Sequence, residues 1–134
     1  MAHSIDHIAV VVRDLDEALS FYRDALGLEV TERRRVPEEQ VEVASLSLGD
    51  ASIELVQPLE AGSGVARFLE KRGEGLHHVC LTVDDIVAAM EQLRDAGADL
   101  ITERPRRGAG GRRYAFVHPK SAHGVLFELY EEMA

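Results

Sequence analysis

The sequence HIAVVV at residues 7–12 has a counterpart 71 residues later, HVCLTV at residues 78–83. Both runs begin with a histidine and continue with apolar residues, many of them β-branched, which is typical of a buried β-strand. The same shift aligns Asp14 with Asp85, and the tripeptide RDA at residues 23–25 with RDA at residues 94–96. Because one register holds over about twenty residues, the sequence indicates an internal duplication.

Each copy of the duplication predicts the element order β-α-β-β-β. An aspartate, Asp14 or Asp85, follows the first strand in the position of a helix N-cap. Apolar residues at helical spacing come next, and Gly27 or Gly97 ends the helix. The predicted strands of the first copy are residues 7–12, 28–30, 41–48 and 51–56, and those of the second are residues 78–83, 99–101, 114–118 and 125–130.

One such copy would expose the apolar face of its sheet, so we expect the two copies to pair. The predicted fold is α+β, with two paired βαβββ modules forming a curled, cup-like mixed sheet. We expect a single domain over residues 1–134, because this length is typical of one domain. Module 1 covers about residues 5–60, a linker with a short helix at 65–71 covers about 61–75, and module 2 covers about 76–131.

Four potential metal ligands occupy matching places in the two copies. His7 and His78 begin the first strands, whereas Glu54 and Glu128 lie in the last strands. Each glutamate stands between two apolar residues, and side chains alternate across a strand, so each carboxylate faces away from its apolar neighbours. Two imidazoles and two carboxylates suit Zn²⁺, Co²⁺, Mn²⁺, Ni²⁺ or Fe²⁺. The sequence therefore predicts a divalent-metal site made by His7, Glu54, His78 and Glu128, and metal-assisted chemistry on a small molecule.

Composition and charge restrict the partners. The formal net charge of −9 argues against nucleic acid or an anionic membrane surface as a partner. Basic residues nevertheless cluster at residues 33–35 and between Arg104 and Lys120, so an anionic ligand stays possible. The first residues have no signal-peptide pattern and no apolar run is long enough to span a membrane. We expect a cytoplasmic protein in which the lone Cys80, which cannot form an internal disulfide, is a small buried hydrophobe and His3 is disordered.

Further stretches carry a resemblance to a known family. They are IDHIAV at residues 5–10, FY at 21–22, EEQ at 38–40, IEL at 53–55, VARFLEKRGEGLHH at 65–78, HPK at 118–120 and GVLFEL at 124–129. With these residues the chain resembles the methylmalonyl-CoA epimerases of the vicinal oxygen chelate superfamily, the superfamily of glyoxalases, bleomycin resistance proteins and dioxygenases. The histidine–glutamate quartet marks the superfamily, whereas the segment at 65–78 and the last segment mark the epimerases.

The resemblance implies paired βαβββ modules and a divalent ion, with Co²⁺ favoured over Mn²⁺, Ni²⁺ or Zn²⁺. It implies interconversion of (2R)- and (2S)-methylmalonyl-CoA in propionyl-CoA metabolism, through removal and return of the C2 proton. Glu128 is the first candidate for the proton-transfer group. Some family members carry a second glutamate where this chain has Val43. We therefore expect either the adjacent Glu42, re-aimed by a bulge, or another group or a metal-bound water to act on the opposite face of the substrate.

The resemblance also implies an acyl-CoA substrate with an anionic tail. Lys120 and Arg112 are candidate contacts for its phosphates. A homodimer is expected because the superfamily often pairs its cups. Three alternatives stay open: a glyoxalase I acting on a glutathione hemithioacetal, an extradiol dioxygenase that would leave Glu54 surplus, and a metal-free drug-binding protein.

Overall fold

A computed structural model of the chain describes residues 1–132. Strands with alternating apolar and polar side chains, and helices with capped ends, form the fold. The elements in chain order are β1 (Ala2–Val11), α1 (Leu15–Leu19), β2 (Glu29–Val36), β3 (Val41–Leu48), β4 (Ala51–Pro58), α2 (Gly64–Arg72), β5 (Gly75–Val83), α3 (Ile86–Asp95), β6 (Arg106–Arg107), β7 (Arg113–Val117) and β8 (Phe127–Glu131). Helix α1 continues as a π-helical segment over Ser20–Ala25. The residues form two compact units, which we call the first unit (His7–His77) and the second unit (Met1–Asp6 together with the chain from His78).

The first unit has the strand order β2-β3-β4-β1. Strand β1 runs parallel to β4, and β3 is antiparallel to both β2 and β4. Helix α1 packs on one face of this sheet, because its apolar stripe has a matching apolar face to cover. The buried residues of this core are Val12, Leu15, Leu19, Ala44, Leu46, Ile53 and Leu55.

The second unit repeats the arrangement with the order β5-β8-β7-β6. Strand β5 is parallel to β8, and β7 is antiparallel to both β8 and β6. Helix α3 covers one face, with a core of Val83, Ile86, Ala89, Met90, Ala115, Val117 and Leu129. Both units therefore contain the βαβββ order that the duplication predicts.

The helix ends follow the sequence signals. The Asp14 carboxylate accepts a hydrogen bond from the Glu17 N–H at 3.0 Å, and Asp85 accepts one from the Ala88 N–H at 3.1 Å. These bonds satisfy N–H groups that have no partner inside the helix. Gly27 and Gly97 have φ angles of 79° and 88°, a left-handed conformation that favours glycine and ends each helix.

One sequence expectation about strands is wrong, and one strand was not predicted. The predicted strand at residues 99–101 is reduced to a bridge between Leu100 and Val117. The ladder stops there because the Thr102 hydroxyl, rather than its backbone, accepts the hydrogen bond from the Phe116 N–H. The edge strand β6 instead lies at Arg106–Arg107, where two exposed charged residues carry no alternating pattern.

The amino-terminal residues also differ from expectation. Strand β1 begins at Ala2, so His3, which we expected to be disordered, lies in a strand. Within residues 1–132, no helix has the length and apolar character that crossing a membrane requires. Cys80 is buried, as predicted.

Candidate metal centre

The first unit brings His7 and Glu54 together. Glu54 is in register with Ala9, and His7 lies two residues earlier on the same strand, so both side chains project from one face of the sheet. His7 Nδ1 lies 3.5 Å from Glu54 Oε2. The His7 side chain is 4% exposed and that of Glu54 is 19% exposed, which leaves the carboxylate accessible from one side.

The second unit contains the matching pair, His78 and Glu128. Glu128 is in register with Cys80, two residues after His78. His78 Nε2 lies 3.2 Å from Glu128 Oε1, and both side chains are largely buried. The Phe116 ring packs edge-on against the His78 imidazole, with 5.7 Å between ring centroids, and this contact restricts the imidazole's orientation.

The apolar neighbours of the two glutamates face the helices, as alternation predicted. Ile53 and Leu55 belong to the core under α1, and Leu129 belongs to the core under α3. Each carboxylate therefore stands on the sheet face that its helix does not cover. A carboxylate placed among apolar residues needs a charged or metal partner, and in both units an imidazole stands beside it.

Each pair has the geometry of two ligands of one ion. Two donor atoms at roughly 2.1 Å from a divalent metal, at right-angled to tetrahedral separations, lie roughly 3.0–3.4 Å apart. The observed distances of 3.5 Å for His7–Glu54 and 3.2 Å for His78–Glu128 are close to this range. Nitrogen and oxygen donors of this kind suit Zn²⁺ and Co²⁺. Each pair therefore fits two adjacent ligand positions of a divalent metal.

Sequence reasoning missed one polar neighbour of Glu54. Ser45 on β3 is in register with Glu54 and is only 9% exposed. It continues the alternation of Val41 and Val43 on the same sheet face, where a small hydroxyl replaces an apolar side chain. That break in an otherwise apolar face was the available signal.

The expectation that a bulge re-aims Glu42 is wrong. Strands β3 and β4 pair without a register shift, with Glu42 opposite Gln57 and Val43 opposite Val56. Glu42 therefore lies on the opposite sheet face from Glu54, where its carboxylate accepts a hydrogen bond from Arg33 Nε at 2.8 Å. Val43, only 4% exposed, takes the place on the Glu54 face.

Lys120 and Arg112, the candidate phosphate contacts, differ in their surroundings. The Lys120 ammonium lies 3.1 Å from Asp99, and its side chain is 70% exposed. Arg112 is 25% exposed and lies 3.3 Å from Asp6. Its guanidinium stacks 4.1 Å from the Tyr130 ring centroid and donates to the Glu131 carbonyl at 2.9 Å. Lys120 is therefore the more accessible cation, whereas Arg112 is held by contacts inside the second unit.

Two βαβββ units with a histidine–glutamate pair each are the features of one protein class. Residues 6–116 match the Glyoxalase/Bleomycin resistance protein/Dioxygenase superfamily, and the chain belongs to this superfamily. The predicted α+β vicinal oxygen chelate fold is thereby confirmed.

Within this superfamily, the chain is similar to methylmalonyl-CoA epimerases over most of its length. The chain is 41% identical over 131 residues to the ethylmalonyl-CoA/methylmalonyl-CoA epimerase of Cereibacter sphaeroides, covering 96% of this chain and 98% of the relative. It is 42% identical to the mitochondrial methylmalonyl-CoA epimerase of Mus musculus, covering 93% of this chain and 71% of the relative. A structure of Streptomyces coelicolor methylmalonyl-CoA epimerase in complex with 2-nitronate-propionyl-CoA superposes with a TM-score of 0.90 at 36% identity, covering 100% of both chains.

A lyase of the superfamily is a more distant relative. The chain is 30% identical to a lactoylglutathione lyase of Arabidopsis thaliana and covers 43% of its length. The epimerases match over nearly the whole chain and the lyase over less than half of its own length, so the comparisons confirm the resemblance to epimerases that the sequence indicated.

Proposed function

We propose that this protein is a methylmalonyl-CoA epimerase that interconverts the (2R) and (2S) forms of its substrate. The histidine–glutamate pair on the sheet face away from the helix, present in both units, supports a metal-dependent enzyme of this superfamily. The observation that carries the epimerase proposal is the similarity to methylmalonyl-CoA epimerases over nearly the whole chain, one of which was solved with an acyl-CoA analogue. The lyase reading has the weaker support, because that relative matches over less than half of its length.

We propose His7, Glu54, His78 and Glu128 as the metal ligands. The support is the fit of each pair to two adjacent coordination positions and the duplication that relates the pairs. When bound, a divalent ion supplies Lewis-acid stabilisation of negative charge on substrate oxygens. Co²⁺ is the ion we favour, from the resemblance, with Mn²⁺, Ni²⁺ and Zn²⁺ as alternatives.

Glu128 is the proposed proton-transfer residue. The C2 proton of methylmalonyl-CoA lies between a thioester carbonyl and a carboxylate, so its loss gives a delocalised enolate. Glu128 takes this proton onto a carboxylate oxygen, an acid on the opposite face of C2 donates a proton to the enolate carbon, and both groups then recover their starting protonation states by exchange with solvent. His78 Nε2 lies 3.2 Å from Glu128 Oε1 and therefore helps to position the carboxylate. The Phe116 ring in turn packs edge-on against the His78 imidazole.

Glu42 has no part in the proposal, because its carboxylate faces away from Glu54 and is paired with Arg33. The accessible Lys120 is proposed as a contact for the CoA phosphates, and Arg112 as a secondary one. We also propose that the enzyme is a homodimer, as the superfamily resemblance implies, and that it acts in the cytoplasm. Sedimentation of the purified protein tests the dimer directly.

Substrate comparison tests the proposed activity. The metal-loaded protein is incubated with (2R)-methylmalonyl-CoA, and separately with the hemithioacetal of methylglyoxal and glutathione. The proposal predicts formation of the (2S) epimer and no lactoylglutathione. Formation of lactoylglutathione without epimerisation would show that the protein is a lyase and not an epimerase. If neither substrate reacts with any of the four ions, both proposed activities are excluded.

A further inference from the structure

A second group of metal-ligand side chains lies within the second unit, apart from the histidine–glutamate pair. His3 comes from the start of β1, whereas Asp84 and Glu132 directly follow the ends of β5 and β8. Strands β5 and β8 are parallel and in register up to Val83 and Glu131, so Asp84 and Glu132 leave the sheet side by side. The Glu132 N–H donates to the Val83 carbonyl at 2.8 Å, which holds the two acidic residues at this edge.

The ligand atoms of the three residues converge. His3 Nε2 lies 3.1 Å from Asp84 Oδ1 and 3.6 Å from Glu132 Oε2. One ligand atom from each residue lies within 4.8 Å of the other two. The side chains are 40%, 67% and 55% exposed, in the order His3, Asp84 and Glu132, so water can complete the coordination of an ion.

The duplication gives an independent comparison. The shift of 71 residues that relates the two copies maps His3 onto Glu74 and Asp84 onto Arg13. In the first unit these counterparts form an ordinary ion pair, with Arg13 Nη1 3.6 Å from Glu74 Oε1 and the Arg13 N–H donating to Glu74. A guanidinium there balances the carboxylate. In the second unit an aspartate stands in the arginine's place, and an imidazole faces two carboxylates.

The replacement of the arginine by Asp84 leaves uncompensated negative charge beside His3 in the second unit. Two carboxylates beside one imidazole carry a net negative charge whether or not the imidazole is protonated. A neutral imidazole and two carboxylates form a donor set that divalent transition metals bind. We propose that His3, Asp84 and Glu132 bind a divalent transition metal of the zinc class, and that the ion ties the amino-terminal strand to the ends of β5 and β8.

Metal stoichiometry tests this site separately from the proposed epimerase centre. The untagged chain is saturated with Zn²⁺, and bound ions per chain are counted by native mass spectrometry. The proposal predicts that His3→Ala binds one ion fewer than the natural chain, whereas the control His123→Ala, which removes another exposed histidine, binds the same number. Asp84→Asn, which keeps the imidazole, is expected to weaken the same ion at least tenfold in a Zn²⁺ titration.

Epimerisation activity and far-UV circular dichroism are measured on the same samples. Both are expected to be unchanged in His3→Ala, because the variant leaves the His78–Glu128 pair intact. An unchanged ion count in His3→Ala, with the control behaving normally, would overturn the proposal. Loss of two ions would also overturn it, because the cluster would then not be an independent site. Failure of the epimerase assay alone would leave this result unaffected.

Discussion

His78 Nε2 lies 3.2 Å from Glu128 Oε1, on the sheet face that α3 does not cover. His7 and Glu54 repeat this relationship in the first unit at 3.5 Å. The repeat arises because both copies place a histidine two residues before the position in register with the glutamate. A duplicated strand pair therefore presents the same two donor types twice, which is the basis of the proposed four-ligand metal centre.

Substitutions at Glu54 distinguish its donor atom from its charge. Glu54→Gln keeps a side-chain oxygen, so we expect metal binding and epimerisation to persist, with activity reduced by less than tenfold. Glu54→Ala removes the donor, and the affinity for Co²⁺ should fall by at least about 100-fold, since loss of an outer-shell partner alone costs about 10- to 100-fold. Isothermal titration with Co²⁺ measures both variants. Equal affinities for the two would exclude Glu54 as a ligand.

Glu42 should be dispensable for catalysis. We expect Glu42→Gln to change kcat by less than twofold, because the carboxylate is on the opposite sheet face from Glu54 and bonds to Arg33. The loss of this largely surface ion pair should lower the free energy of unfolding by about 0.2–1 kcal/mol. Steady-state epimerisation and urea unfolding give the two numbers. A kcat reduced by tenfold or more at normal KM would restore Glu42 to the mechanism.

Lys120 should affect binding of the CoA tail more than chemistry. Lys120→Ala is expected to raise KM for methylmalonyl-CoA about 3- to 5-fold, the equivalent of about 1 kcal/mol for one exposed ion pair, with kcat nearly unchanged. Lys71→Ala removes the same charge from the exposed end of α2 and serves as the matched control. Equal KM values for the two variants would mean that Lys120 has no specific contact with the phosphates.

Glu131 should stabilise the second unit in a pH-dependent manner. Arg113 donates two hydrogen bonds to its carboxylate, each at 2.8 Å, and the Ile86 N–H at the start of α3 donates a third at 3.0 Å. The Arg113 hydrogen bonds, followed by that of Ile86, lower the pKa of Glu131. The charged carboxylate therefore stabilises the fold above the usual glutamate pKa of about 4.3, and this contribution is lost as the pH falls through the lowered pKa.

We expect Glu131→Gln to lower the free energy of unfolding by about 1–2 kcal/mol at pH 7. The difference from the natural chain should stay constant down to about pH 5 and shrink below the usual carboxyl pKa. Urea unfolding between pH 3 and pH 7 follows it, with the exposed Glu91→Gln in α3 as control. A difference that grows toward acidic pH would contradict the assigned hydrogen bonds.

The duplication predicted most of the fold and the histidine–glutamate pair in each unit, because alternation and helix caps are local signals. The faces of Glu54 and Glu128 followed from their apolar neighbours alone. Contacts distant in sequence could not be predicted in this way. Gln57 and Glu131, 74 residues apart, each accept the N–H of the first helical residue of their own unit, Leu15 or Ile86. No local sequence pattern predicts either hydrogen bond. The expected re-aiming of Glu42 was wrong because β3 pairs with β4 without a bulge.

Proton exchange at C2 tests the central claim most directly. The Co²⁺-loaded protein is mixed with one epimer of methylmalonyl-CoA in D₂O, and deuterium at C2 is followed by NMR together with the configuration of the product. We predict deuterium incorporation with loss of configuration, abolished in Glu128→Ala. Glu128→Gln serves as the matched variant: it keeps an oxygen donor for the metal but cannot take up the proton, so it should bind Co²⁺ and catalyse no exchange. Full exchange in metal-loaded Glu128→Gln would contradict the assigned role of Glu128, and absence of exchange in the natural chain with every divalent ion tested would contradict the epimerase itself.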